Sequence, residues 1–258
     1  MISLLQGVLG TASGVAVGFS LGLVGGGGSI LAVPLMVYLV GIDSPHVAIG
    51  TSAVAVAANA GVNLMGHSRA GTVKWPCALT FSASGVAGAF AGAALGKMLD
   101  GQRLLALFAL LMLVVAALML KQRSGEVQPG VRLNRDNLPA LLALGLATGV
   151  LSGFFGIGGG FLIVPALMLA TGMPILNAVS SSLVAVTAFG LSTSASYAFS
   201  GLVDWALAGV FIAGGVFGGI LGARLAKSLA NRGGALNVVL ASIISAVAIY
   251  VLIRASAA

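Results

Sequence analysis

The chain has 258 residues, of which 59% are hydrophobic and only 7% charged, with a mean hydropathy of +1.14. Soluble domains carry about 25% charged residues, so a water-covered globule is excluded. The long unbroken apolar runs also exclude a barrel of alternating strands, leaving an all-α polytopic membrane protein. The net charge of +7 is scattered one to three basic residues per loop, which suits anionic lipid headgroups and not nucleic acid.

Apolar segments are expected at about residues 3–24, 28–41, 47–66, 75–96 and 104–121, and again at 138–156, 159–172, 176–199, 205–226 and 236–254. The first lacks a basic leader and a small-residue cleavage site, so it is expected to stay in the membrane. The second and seventh are short and open directly after glycine. Each is therefore expected to be a broken helix or a re-entrant hairpin with its predecessor, and charge counting does not separate these options. Residues 122–137 form a polar linker between a first repeat, 1–121, and a second, 138–258.

The two halves are copies of one unit. Gly71-Thr72-Val73-Lys74-Trp75 recurs as Gly201-Leu202-Val203-Asp204-Trp205. At the same offset Ala48, Ser52, Val56, Gly85, Gly88, Gly92 and Lys97 meet Ala178, Ser182, Val186, Gly215, Gly218, Gly222 and Lys227. One residue further apart, Gly25, Gly27, Gly28 and Pro34 meet Gly156, Gly158, Gly159 and Pro165. Nine basic residues then fall on one side of the membrane (Arg69, Lys74, Lys121, Arg123, Arg132, Arg135, Arg224, Lys227 and Arg232) and three on the other (Lys97, Arg103 and Arg254). The first side is assigned to the cytoplasm, along with the linker, and both termini to the outside. An odd number of crossings per copy inverts the second repeat relative to the first, which is a transporter pattern with its site at the repeat interface.

Two constellations carry the chemistry. Gly25-Gly26-Gly27-Gly28-Ser29 with Pro34, and Gly156-Ile157-Gly158-Gly159-Gly160 with Pro165, are backbone breaks inside apolar sequence. Such breaks are tolerated in a bilayer only where they are buried in protein or line a wet cavity. Their helix starts offer N–H groups to an anion. Close packing alone explains Gly85, Gly88 and Gly92 with Gly215, Gly218 and Gly222. The second constellation is polar and uncharged: Thr51 and Ser52 match Ser181 and Ser182, with Asn59 and Asn63 further along one copy and Thr187, Ser192 and Thr193 along the other. Hydroxyls and amides can coordinate an oxyanion without carrying charge into lipid. A lone membrane Ser or Thr commonly bonds only its own backbone.

All five acids, Asp43, Asp100, Glu126, Asp136 and Asp204, fall in loops or at segment ends, so no mid-membrane carboxylate is placed to bind a cation. His46 and His67 sit at segment boundaries and are expected at the surface. The sequence presents no metal cluster, nucleophile–base pair or phosphate-binding loop, so neither an enzyme nor a bound cofactor is expected.

With these motifs the chain resembles the sulfite exporter TauE/SafE family of membrane permeases. The resemblance is carried by Gly22-Leu23-Val24-Gly25-Gly26-Gly27-Gly28-Ser29 through Pro34, by Gly153-Phe154-Phe155-Gly156 through Pro165, and by Ala48-Ile49-Gly50-Thr51-Ser52. It implies a secondary carrier of small sulfur-containing anions, such as sulfite, sulfoacetate or related organosulfonates, in a bacterial inner membrane. It also implies a central site at Gly27, Gly28, Pro34, Thr51, Ser52, Gly158, Gly159, Pro165, Ser181 and Ser182, to which Asn59 and Thr187 add the amide and hydroxyl next along each helix. Ile157 departs from the first run, where Gly26 stands, so the two halves are expected to be unequal. Expected partners are the anion, membrane lipid and, for uptake, a coupling proton or sodium ion. An anion channel and a non-transporting membrane scaffold are the alternatives, and no motif in the sequence specifies an oligomeric state.

Overall fold

The structure is a computed structural model that describes residues 3–121, 133–156 and 160–229, with isolated positions between 242 and 253. Among the described residues it is all-helical. Six of the described helices are long and apolar enough to cross a membrane: α1 (Leu4–Val24), α3 (Pro45–Arg69), α4 (Trp75–Gly96), α6 (Leu138–Phe155), α8 (Ile175–Phe199) and α9 (Trp205–Leu229). The protein is a multi-pass membrane protein, and large apolar side chains such as Met65, Leu79, Phe90, Phe199 and Phe217 stand exposed on its outer surface.

The ends of these helices follow from local chemistry. Ser3 and Gln6 cap α1 reciprocally, each side-chain oxygen accepting from the other residue's backbone N–H at 3.1 Å. Ser44 precedes Pro45 at the start of α3, where the missing proline N–H is harmless. Every described residue with positive φ is a glycine, and these glycines fall into repeat-matched pairs: Gly25 with Gly156, Gly41 with Gly172, and Gly71 with Gly201. The two copies turn at the same places for the same stereochemical reason.

The second and seventh segments are short, and they differ. After Gly25 the chain runs through a 3₁₀ turn (Gly25–Leu31), a single turn α2 (Ala32–Pro34) and a π-helical stretch (Leu35–Leu39). Its counterpart α7 (Gly160–Thr171) is a continuous α-helix of 12 residues with Pro165 inside it. At 1.5 Å per residue α7 covers about 18 Å, too little to cross a ~30 Å hydrocarbon core alone. Helix α5 (Gly101–Lys121) closes the first copy. The expected tenth segment and most of the linker lie outside the described residues.

Packing repeats as well. Helix α1 lies parallel to α9, and Gly14, Gly18 and Gly22 each leave room only for the backbone of Phe211, Gly215 and Gly219 in turn. Helix α6 lies parallel to α4 in the same manner, with Gly145, Gly149 and Gly153 against Phe81, Gly85 and Ala89. Glycines four apart let the backbones approach, the usual solution where no hydrophobic effect drives helices together. The third helices of the copies, α3 and α8, run antiparallel through the centre: Gly50 sits at Tyr197, Gly61 near Thr187, and His67 at Ser180.

Candidate functional site

The matched hydroxyls lie where α3 and α8 cross the opposite copy. Thr51 Oγ1 accepts a hydrogen bond from the backbone N–H of Asp204 at 2.9 Å, and Ser181 Oγ accepts one from the backbone N–H of Lys74, also at 2.9 Å. Thr51 and Ser181 are repeat partners, and so are Lys74 and Asp204. Each copy thus ties down the other's loop before the tryptophan helix. The tryptophans beside these anchors, Trp75 and Trp205, are both exposed at the starts of α4 and α9.

Next to these ties the two glycine breaks touch. A side chain on Gly26 would run into Gly160 and Val186, and one on Gly160 would run into the backbone of Gly26. Gly26 N–H donates to Ser182 Oγ at 3.1 Å, and that hydroxyl donates to Val179 O at 2.8 Å. Gly25 abuts Val179, while its counterpart Gly156 abuts Ile49, the residue matched to Val179. Gly25, Gly26, Gly156 and Gly160 are all buried, which for these residues satisfies the condition for irregular backbone in a membrane.

The remaining expected site residues divide. Pro34 is buried at the end of α2, and Gly27 and Gly28 lie in the 3₁₀ turn. Ser52 Oγ donates to Ile49 O at 3.0 Å and Thr187 Oγ1 to Leu183 O at 2.7 Å, both local helix bonds. Pro165 is half-buried within α7. Gly158 and Gly159 fall outside the described residues. Asn59 is wholly buried, and neither its Oδ1 nor its Nδ2 has a hydrogen-bond partner among the described residues. A buried orphan group of this kind costs about 1–3 kcal/mol, so its presence in an apolar bundle calls for a role.

One sequence expectation is overturned. His67 is buried, with its Nδ1 hydrogen-bonded to Ser180 Oγ at 2.9 Å, because α8 crosses α3 at that turn. His46 is half-buried, with its Nε2 at 3.1 Å from Leu99 O. The sequence reading also missed a cavity of about 220 Å³ between the C-terminal halves of α3 and α9, lined by Val62, Asn63, His67, Ile220 and Arg224 among others. Arg224 figured there only in a charge count. The spacing of Asn59, Asn63 and His67, four residues apart, was the available signal, since it sets all three on one helix face.

The repeat-matched place between α8 and α4 carries different side chains. Tyr197, matched to His67, is fully buried, and Lys97 lies over its ring at 5.7 Å from the centroid. Lys97 Nζ also donates to Ser196 O and Ser200 Oγ, each at 3.0 Å.

The family described as sulfite exporter TauE/SafE matches residues 10–251. A probable membrane transporter protein of Xylella fastidiosa (strain 9a5c) is 53% identical over 94% of this chain and 93% of its own length. The probable membrane transporter protein YunE of Bacillus subtilis is 28% identical over 81% of this chain and 85% of its own. Another probable membrane transporter protein, from Methanocaldococcus jannaschii, is 30% identical over 65% of each chain. No solved structure matches the chain. The chain belongs to the sulfite exporter TauE/SafE family of membrane transporters.

Proposed function

We propose that this protein is a secondary transporter of small sulfur-containing anions, sulfite, sulfoacetate or a related organosulfonate, working by alternating access of two inverted repeats in a bacterial inner membrane. The observation that carries the reading is the contact of the two glycine breaks, Gly26 against Gly160, with Ser182 holding the Gly26 N–H. In this closed arrangement the Ser182 hydroxyl occupies the acceptor position that a substrate oxygen would take. Parting the breaks frees that N–H, together with Gly27, Gly28, Gly158 and Gly159, for an oxyanion, while Thr51, Ser52, Ser181, Asn59 and Thr187 supply hydroxyls and an amide around it.

Inversion has its own support. A two-fold axis along the membrane normal would leave matched helices parallel, whereas α3 and α8 run antiparallel and exchange the reciprocal bonds Thr51–Asp204 and Ser181–Lys74. The distribution of basic loops supports a topology with both termini on the outer face. With a negative interior, an anion is driven outward by about 2.3 kcal/mol per charge per 100 mV, so export needs no coupling ion. Uptake requires a proton or a sodium ion.

Proteoliposomes containing the purified protein test the assignment. Efflux of sulfite or sulfoacetate that saturates with concentration and is lost in Gly26→Leu is the expected result. Movement of none of these anions under any potential overturns the substrate class.

A further inference from the structure

We infer that the cavity between α3 and α9 is an oxyanion-binding site, an outer station for the anion on the side of the membrane that the charge count assigns to the cytoplasm. The inference rests on the transport reading above. The cavity, about 220 Å³, is large enough for a sulfite, sulfate or phosphate group, and its lining combines Asn63, His67 and Arg224 with no acidic residue. The polar part of that lining offers the Arg224 guanidinium and the Asn63 amide with no carboxylate, which favours an anion over a cation, while Val62, Ile220 and Ala223 supply the apolar remainder of the wall.

The construction around the cavity points the same way. Asn63 is 6% exposed and donates through Nδ2 to Asn59 O at 2.9 Å, which holds its carboxamide against Gly219 of α9. His67 is held at Nδ1 by Ser180, so its ring stays fixed at the cavity wall. Arg224 is exposed and stands one turn beyond Ile220 on α9. One turn deeper on α3, about 6 Å along the helix, Asn59 packs against Gly215 with both amide atoms lacking partners among the described residues. Arg224, His67, Asn63 and Asn59 thus form a graded series, from an exposed cation to a buried neutral amide. Such a series loses charge as the anion loses water.

Two sources could supply the oxyanion, a soluble anion or the phosphate of a lipid headgroup, since Ile220 and Val62 beside the cavity face outward. The experiment separates them. Purified wild type, Arg224→Gln, Arg224→Lys and Asn63→Ala are placed in nanodiscs of phosphatidylcholine, with or without phosphatidylglycerol. Sulfite binding is measured by calorimetry, and retained lipid by native mass spectrometry. The expected result is that Arg224→Gln and Asn63→Ala each weaken sulfite binding about tenfold, while Arg224→Lys keeps most of it. Loss of bound phosphatidylglycerol in Arg224→Gln, with sulfite binding unaltered, supports the site with lipid phosphate as its ligand. Unchanged binding of both ligands in Arg224→Gln and Asn63→Ala overturns the inference. If wild type moves sulfite in proteoliposomes while these variants bind and transport as it does, this site fails and the transport reading stands. Absence of transport in wild type would strike that reading instead.

Discussion

The α3–α9 and α8–α4 interfaces occupy places matched by the sequence repeat, and the side chains packed at them differ in kind. Between α3 and α9, Asn59 lies in the hollow left by Gly215, and Asn63 in that left by Gly219. At the matched place between α8 and α4, the ring of Phe189 fills the hollow of Gly85 and stacks on Phe81 at 6.2 Å between centroids. The first interface carries amides, a histidine and a cavity, and the second carries aromatic rings, with Lys97 lying over that of Tyr197. The duplicated scaffold sets where the helices cross, and the side chains in the glycine hollows decide which crossing is polar.

The largest test of this contrast makes the second interface resemble the first. Phe189→Asn removes a buried ring and strands an amide, so it should cost about 3–5 kcal/mol in thermal or denaturant unfolding of the purified protein. A loss below about 1 kcal/mol would mean that the hollow at Gly85 is as tolerant of polarity as the hollow at Gly215. The reverse change is smaller and of opposite sign. Asn59→Leu removes two unsatisfied buried atoms and should stabilise the protein by about 1–3 kcal/mol, while sulfite efflux falls. A stabilised variant with undiminished transport would show that Asn59 has no part in handling the anion.

Smaller again are the reciprocal ties. Thr51→Val and Ser181→Ala each delete one hydrogen bond to a backbone N–H, and each should cost about 1 kcal/mol. Nearly equal losses are expected, because the two bonds have the same length and matched surroundings. Strongly unequal losses would extend the asymmetry from the side chains to the scaffold. The smallest effect belongs to Lys97→Met, which removes a cation from above the Tyr197 ring and should cost about 0.5–1 kcal/mol. Its readout is faster labelling of a cysteine placed at Ser196, and unchanged labelling would mean that Lys97 does not seal that side.

Most of the fold was legible because glycine, proline and apolar length are local signals. The bounds of α4 at Trp75–Gly96 and the break after Gly25 follow from such signals alone. Matching the copies also singled out Thr51 and Ser181. It did not reveal their partners, since a hydroxyl's acceptor role depends on which loop crosses it. His67 was misread for the same reason: a boundary position looks exposed until Ser180 of α8 is laid across it. The contact of Gly26 with Gly160 was foreshadowed by duplication, yet the closeness of the approach is a property of packing. Arg224 was invisible as a cavity residue because a basic residue near a helix end reads first as a headgroup anchor.

The comparison of the interfaces has meaning for transport only if they face opposite sides of the membrane. Cys77 is the only cysteine in the chain, so a Cys77→Ser background allows single cysteines to be placed at the exposed, repeat-matched positions Ala70 and Ser200. In intact cells a membrane-impermeant maleimide should label Ser200→Cys and spare Ala70→Cys, and in inverted vesicles the pattern should reverse. Labelling of both cysteines from the same side would contradict the opposed orientation of the two halves.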